Sequence, residues 1–132
     1  MTASSWAQLA EQLADRLLRL GDGDVINLVS AGRYTQLIQR DVGLTLEAVS
    51  NRFLPPKAQL TTGQEQQLEE KGWQQPIPPR RNNWWLDVDQ WPLHSRDAAR
   101  IADLMVSTLR DVYGVADPDA IDGRAFNADR TV

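Results

Sequence analysis

The chain has 132 residues, with 14 Lys or Arg against 18 Asp or Glu, and a formal net charge of -4 at pH 7. This length fits one domain, and the absence of cysteine excludes disulfides and thiolate metal sites. The acidic balance disfavours nucleic acid as a partner, and a single histidine, His94, disfavours histidine-based metal sites and triads. With no leader-like N-terminus and no membrane-spanning run, we expect a cytoplasmic domain with no membrane partner.

An amphipathic helix is predicted over Ser4–Leu20. Ser5 and Gln8 stand at capping-box spacing, and Gly21 ends the helix. Large apolar side chains recur at helical spacing at Trp6, Leu9, Leu13, Leu17 and Leu20. One side of this helix should therefore be buried.

The apolar period then falls to two, which predicts an antiparallel meander. Its three strands are Val25–Ser30, Arg33–Asp41 and Leu44–Asn51. The first and third strands each have one cleanly apolar face, which we expect the helices to cover, and one mixed face. The register of the middle strand stays open, because Tyr34 and Ile38 lie on one side and Leu37 on the other.

A short helix is predicted from Thr61 or Thr62 to Glu70, and its one large apolar residue, Leu68, indicates a surface or interface element. A proline-rich connector follows over residues 73–81. A fourth strand is predicted over Asn83–Trp91. Its alternation directs Trp84, Leu86 and Val88 to the core and Trp85, Asp87 and Asp89 outward.

The clearest element is a helix over Ser95–Tyr113, which Gly114 ends. Its apolar face consists of Ala98, Ile101, Ala102, Met105, Val106, Leu109, Val112 and Tyr113. After it the composition becomes acidic and poor in large apolar residues. We therefore assign residues 1–115 to an α+β domain and residues 116–132 to a loosely ordered acidic tail.

Several short strings, in this order and spacing, resemble the bacterial TY-Chap group, whose domains are similar to type III secretion chaperones and to the YbjN family. They are Tyr34-Thr35-Gln36-Leu37, Glu47-Ala48-Val49-Ser50-Asn51 with Phe53-Leu54, Gly72-Trp73 before Pro76, Asn83-Trp84, and the helix from Ala99 to Gly114. The resemblance spans about residues 6–120. It implies a small dimeric chaperone fold, with helices on one face of an antiparallel sheet, that binds extended peptide segments and catalyses no reaction.

The candidate partner site is the mixed face of the sheet, centred on Trp85. An outward tryptophan on a strand that also carries carboxylates marks a contact surface. An apolar strip is completed by Val25, Val29, Leu37 and Val49, and polar groups that match the family-like strings are supplied by Gln36, Glu47 and Asn51. The alternatives are that the short helix and the connector cover the strip, and that the polar groups satisfy neighbouring loops.

Other readings of the chain are weaker. Asp87 and Asp89 could hold a divalent metal or act as acid and base, but no third ligand is assigned, so solvated acids are favoured and no cofactor is expected.

An interaction module for one folded partner, of the immunity type, is the main functional alternative. The Pro76–Arg81 stretch matches a polyproline ligand, and Arg80 and Arg81 beside the tryptophans suggest single-stranded nucleic acid, both weakly.

Overall fold

The computed structural model describes residues 3–41, 43–90 and 92–128, which form three helices and five strands. The helices are α1 (Trp6–Leu17), α2 (Thr62–Lys71) and α3 (Ser95–Asp111). The strands are β1 (Asp24–Ser30), β2 (Arg33–Arg40), β3 (Gly43–Ala48), β4 (Trp84–Val88) and β5 (Asp122–Asn127). The predicted α+β class, with a meander, at least one further strand and terminal helices, is confirmed.

All strand pairs in the sheet are antiparallel, in the order β4-β3-β2-β1-β5. The register aligns the side chains in rows that cross the sheet, because residues directly opposite each other share a face. One row on the helix side contains Ala125, Ile26, Leu37, Leu46 and Leu86. Strands β4 and β5 are the two edges.

The core lies between the sheet and the pair α1 and α3. Leu9, Leu13 and Leu17 of α1 are buried, as are nine residues of α3. The hydroxyl of Thr35 donates to the carbonyl oxygen of Met105 at 3.2 Å, which fixes α3 against β2. As predicted, the helices cover the apolar face of β1 and β3, so the opposite face, called here the outer face, carries the mixed side chains.

Helix α2 is attached to α3, and its one buried residue is Leu68. Thr61 and Gln64 form a capping box, and the Gln64 amide also donates to the carbonyl oxygen of Val112 at 2.9 Å. Just after the helix, the buried indole of Trp73 donates to Thr108 Oγ1 at 3.0 Å. These polar contacts hold an otherwise hydrophilic helix in place.

The predicted boundary at residue 116 needs correction, because residues 122–127 form β5 and pair with β1 along its full length. Ile121, just before the strand, is buried in the core. The expectation of a loosely held tail is therefore wrong for this segment, whose order comes from the free backbone groups of β1. Residues 129–132 of the predicted tail lie outside the described residues, as does Trp91 at the end of the predicted fourth strand.

Candidate functional site

The outer face carries some of the predicted partner residues and not others. Trp85 and Val29 lie there half-buried, and Val25 lies there buried at 8% exposure. Leu37 does not, because it stands opposite Ile26 and Leu46 on the helix side and is 1% exposed.

Val49 was also predicted in the outer strip, and this placement is wrong as well. The residue follows the end of β3, where the chain turns into the core, and it is fully buried. Its carbonyl oxygen accepts a 2.6 Å hydrogen bond from the hydroxyl of Tyr113. The predicted strip therefore loses Leu37 and Val49 to the core.

Trp85 faces outward as predicted, but its own chain covers much of it. Its backbone exchanges two hydrogen bonds with Gln74, and its indole N–H donates to the carbonyl oxygen of Gln75 at 3.0 Å. The guanidinium carbon of Arg81 lies 3.9 Å from the ring centre, a cation–π contact. At Trp85, therefore, the connector covers the predicted strip, as one of the alternatives expected.

Arg81 also binds Asp87 with two parallel hydrogen bonds, of 3.0 and 2.9 Å. Hydrogen bonding from Arg81 lowers the pKa of Asp87 below its ordinary value, and the charge of Arg81 acts in the same direction. Thr45 donates a further hydrogen bond to this carboxylate at 3.3 Å. The Asp87 carboxylate is therefore occupied by hydrogen bonds within the domain, which argues against a role as a metal ligand or a general base.

Replacing Arg81 with alanine should raise the pKa of Asp87 toward its ordinary value. A lowered pKa stabilises the folded state above the ordinary pKa, and this contribution is lost as the pH falls through the lowered value. The stability gap between wild type and Arg81→Ala should therefore narrow in strong acid, to the part that the stacking of Arg81 on Trp85 contributes. Carboxyl-carbon NMR titration checks the pKa, with Arg80→Ala as the neighbouring control. An unchanged titration of Asp87 in Arg81→Ala would contradict the assignment.

The polar residues that match the family-like strings bond to each other and to a loop. The Asn27 amide donates to Gln36 Oε1 at 3.1 Å, and the Gln36 amide donates to Glu47 Oε1 at 2.7 Å. Asn51 accepts from the N–H of Leu60 and donates to its carbonyl oxygen. Gln36 and Glu47 thus form a row on the outer face, whereas Asn51 fixes the loop after β3.

The outer edge of β4 has free backbone groups beyond Trp85. Backbone groups of alternate residues point to the same side of a strand, so those of Asp87 point away from β3, like those of Trp85. Within the described residues, no backbone hydrogen bond reaches the N–H or C=O of Asp87. An extended segment could therefore pair with β4 at this position.

A cleft of about 480 Å³ lies beside this edge, between β4 and α3. Its apolar lining consists of Leu86 and Val88 of β4 with Ile101 and Leu104 of α3. Its polar lining consists of Lys71, Gln90, Asp97, Arg100, Asp103 and Ser107. Its volume is in the range of known ligand pockets. Because Leu86 and Val88 flank Asp87 in sequence, the cleft and the free backbone groups form one continuous surface.

One family model matches residues 1–127, and its description is T3SS (YopN, CesT) and YbjN peptide-binding chaperone 3, or TY-Chap3. The chain belongs to the TY-Chap3 family. Neither a curated protein nor a solved structure matches the chain. The family match confirms the resemblance drawn from the sequence, and the family is described as one of peptide-binding chaperones.

Within the described part of this TY-Chap3 domain, no group of three or more acidic or histidine side chains is arranged to hold a metal ion. None of the helices formed by these residues has the length and hydrophobicity needed to cross a membrane.

Sequence reasoning missed the cleft of the TY-Chap3 domain. It assigned Leu86, Val88 and Ile101 to the core, and left Leu104 out of the helix stripe altogether. Leu104 was the available signal, because a leucine beside the main stripe of α3 widens the apolar face past the area that the sheet covers. The cleft also requires β4 to be an edge strand, and the order of the strands in the sheet cannot be deduced from local sequence patterns.

Proposed function

We propose that this domain is a non-enzymatic, chaperone-like module that binds an extended apolar segment of a partner protein along the free edge of β4. Backbone pairing at Asp87 supplies affinity, and alternate side chains of the segment enter the cleft between β4 and α3. The observation that carries the proposal is that free backbone groups and an apolar recess meet at the same residues, 86–88.

The proposed site lies at the β4 edge, whereas the sequence predicted a site on the outer face. Trp85 keeps a role in the proposal as a support: its contacts with Gln75 and Arg81 hold the connector, and Arg81 in turn holds Asp87. The other outer-face residues lie inward from this edge: Glu47 on the adjacent β3, Gln36 on β2, and Val25 and Val29 on β1. A strand that adds to this edge has its side chains divided between the outer face and the cleft.

The edge formed by β5 supports the same function less well. One adjoining recess, about 360 Å³ in volume, is lined by Gly123 and Ala125 of the strand and by polar residues of α1, namely Gln12, Asp15, Arg16 and Arg19. A second recess, of about 370 Å³, is lined by Leu20, Val25, Ala125 and Phe126 together with Arg16, Arg19, Asp24 and Asn127. Both recesses are smaller than the cleft at β4, and charged side chains of α1 contribute to both linings. We therefore place the client segment at β4. We further propose that the domain is a homodimer, as the family resemblance implies, and that it acts in the cytoplasm, as the sequence predicts.

Exchanging Leu104 for lysine should weaken binding of an extended apolar peptide by about ten-fold, which corresponds to the loss of about half of one buried aliphatic side chain. Leu104 is only partly buried, so the helix should tolerate the change. Leu18→Lys is the matched control, because Leu18 of the α1 C-terminus is 46% exposed and away from the cleft. Fluorescence anisotropy of a labelled valine-rich peptide provides the affinities. Equal affinities for both variants and wild type would contradict the site.

A further inference from the structure

We propose that the segment bound at β4 carries a lysine or arginine between two apolar residues, with the cation on the outer face and the apolar residues in the cleft. This inference depends on the proposed function and names the class of partner. It follows from which side of the edge each client side chain must occupy and from the charge that each side presents.

The pleat of the sheet divides the client side chains. A client residue directly opposite Asp87 has its side chain on the outer face, with its Cβ about 4.5–5.5 Å from that of Asp87. The client residues before and after it stand beside Leu86 and Val88, and their side chains point into the cleft. Three successive client residues therefore alternate: an apolar residue in the cleft, a residue on the outer face, and a second apolar residue in the cleft.

Near the outward position, on the β3 side of Asp87, lies an acidic recess of about 220 Å³. Its charged lining consists of Arg40, Asp41, Asp87 and Asp89. Arg81 pairs with Asp87 through two hydrogen bonds, and Arg40 supplies one positive charge against the carboxylates of Asp41 and Asp89. Asp89, exposed and without an ion pair to any residue that the structure describes, leaves this side negative.

The cleft side is close to neutral, because Lys71 and Arg100 balance Asp97 and Asp103 in its lining. Arg100 pairs with Asp97, whereas Lys71 lies 3.6 Å from Asp111 and shares that carboxylate with Arg110, which donates two hydrogen bonds to it. Asp103 makes no ion pair within the described chain. The outer side therefore carries the net negative charge beside the edge, and a client cation placed there is favoured whereas an acidic residue is repelled.

Three synthetic peptides test this assignment: valine at alternate positions, with lysine, glutamine or glutamate between. We expect the full chain to bind the lysine peptide about three- to ten-fold more tightly than the glutamine peptide, and the glutamate peptide more weakly than both. The differences should shrink as salt is raised, because surface charge pairs are screened. The double variant Asp89→Lys with Asp103→Lys should reverse the order, and Asp119→Lys, an exposed acid outside both recesses, should leave it unchanged.

The outcomes separate the two proposals. If all three peptides bind equally, or if glutamate is preferred, the cationic client is wrong while the peptide site stands, provided that Leu104→Lys still weakens binding. If no peptide binds, both proposals fail. If a second copy of the chain occupies the edge instead, sedimentation will show a dimer that Leu104→Lys dissociates, and this result also overturns the cationic client.

Discussion

Replacing Asp87 with proline should weaken peptide binding by about ten- to hundred-fold. The substitution removes the outward N–H, so the client carbonyl that it would bind is left buried without a donor, which costs about 1–3 kcal/mol. The proline ring also occupies space beside the edge that the client strand needs. The pairing of β4 with β3 should survive, because the N–H of Asp87 points away from β3 and proline is tolerated at such edge positions.

Two controls separate the backbone effect from the side-chain effect. Asp87→Ala removes the carboxylate and its pair with Arg81 but keeps the N–H, so its affinity for the uncharged valine–glutamine peptide should remain close to that of wild type. Ala125→Pro makes the equivalent change on β5, where the exposed Ala125 points its N–H away from β1. Isothermal calorimetry provides the three affinities, and circular dichroism checks each fold. If Ala125→Pro alone abolished binding, the client would belong at β5.

Leu46→Ala should destabilise the folded state by about 2–5 kcal/mol, the range for truncating a leucine in a packed core. Leu46 is fully buried in the middle of the helix-side row, between Leu37 of β2 and Leu86 of β4. Its loss leaves a cavity that the sheet backbone on both sides cannot close. Because the free energy of unfolding of such a domain is about 5–15 kcal/mol, much of the stability would be lost.

Urea unfolding followed by tryptophan fluorescence measures this effect. Leu18→Ala is the control, since the same side chain is truncated at a position that is 46% exposed, and it should change the free energy of unfolding by less than about 0.5 kcal/mol. A similar small change for Leu46→Ala would mean that the row Ile26, Leu37, Leu46 is not the packed centre of the domain.

The sequence predicted those elements whose burial pattern is local. The stripe of α3 was correct because its period is strict, and the alternation of Trp84 and Trp85 gave β4 its correct faces. Strand β5 was missed because Asp122, Gly123 and Arg124 have low strand propensity and almost no apolar pattern. Its order depends on pairing with β1, from residues about a hundred positions earlier in the chain.

The site was predicted only in part, for the same reason. The outward direction of Trp85 follows from alternation, but the stacking of Arg81 on its ring depends on how the connector returns to β4. Leu37 was misplaced because apolar residues occur on both sides of β2, so the pattern did not fix the register. The cleft needs both strand order and helix placement, which only the folded chain provides.

Amide hydrogen exchange at Asp87, measured by NMR with and without the valine–lysine peptide, tests the pairing of a client strand with β4 most directly. The free N–H of Asp87 should exchange at least about ten-fold more slowly when the peptide is bound, while that of Ala125 on the opposite edge should not change. Unchanged exchange at Asp87 with saturating peptide, or new protection at Ala125, would contradict binding at this edge.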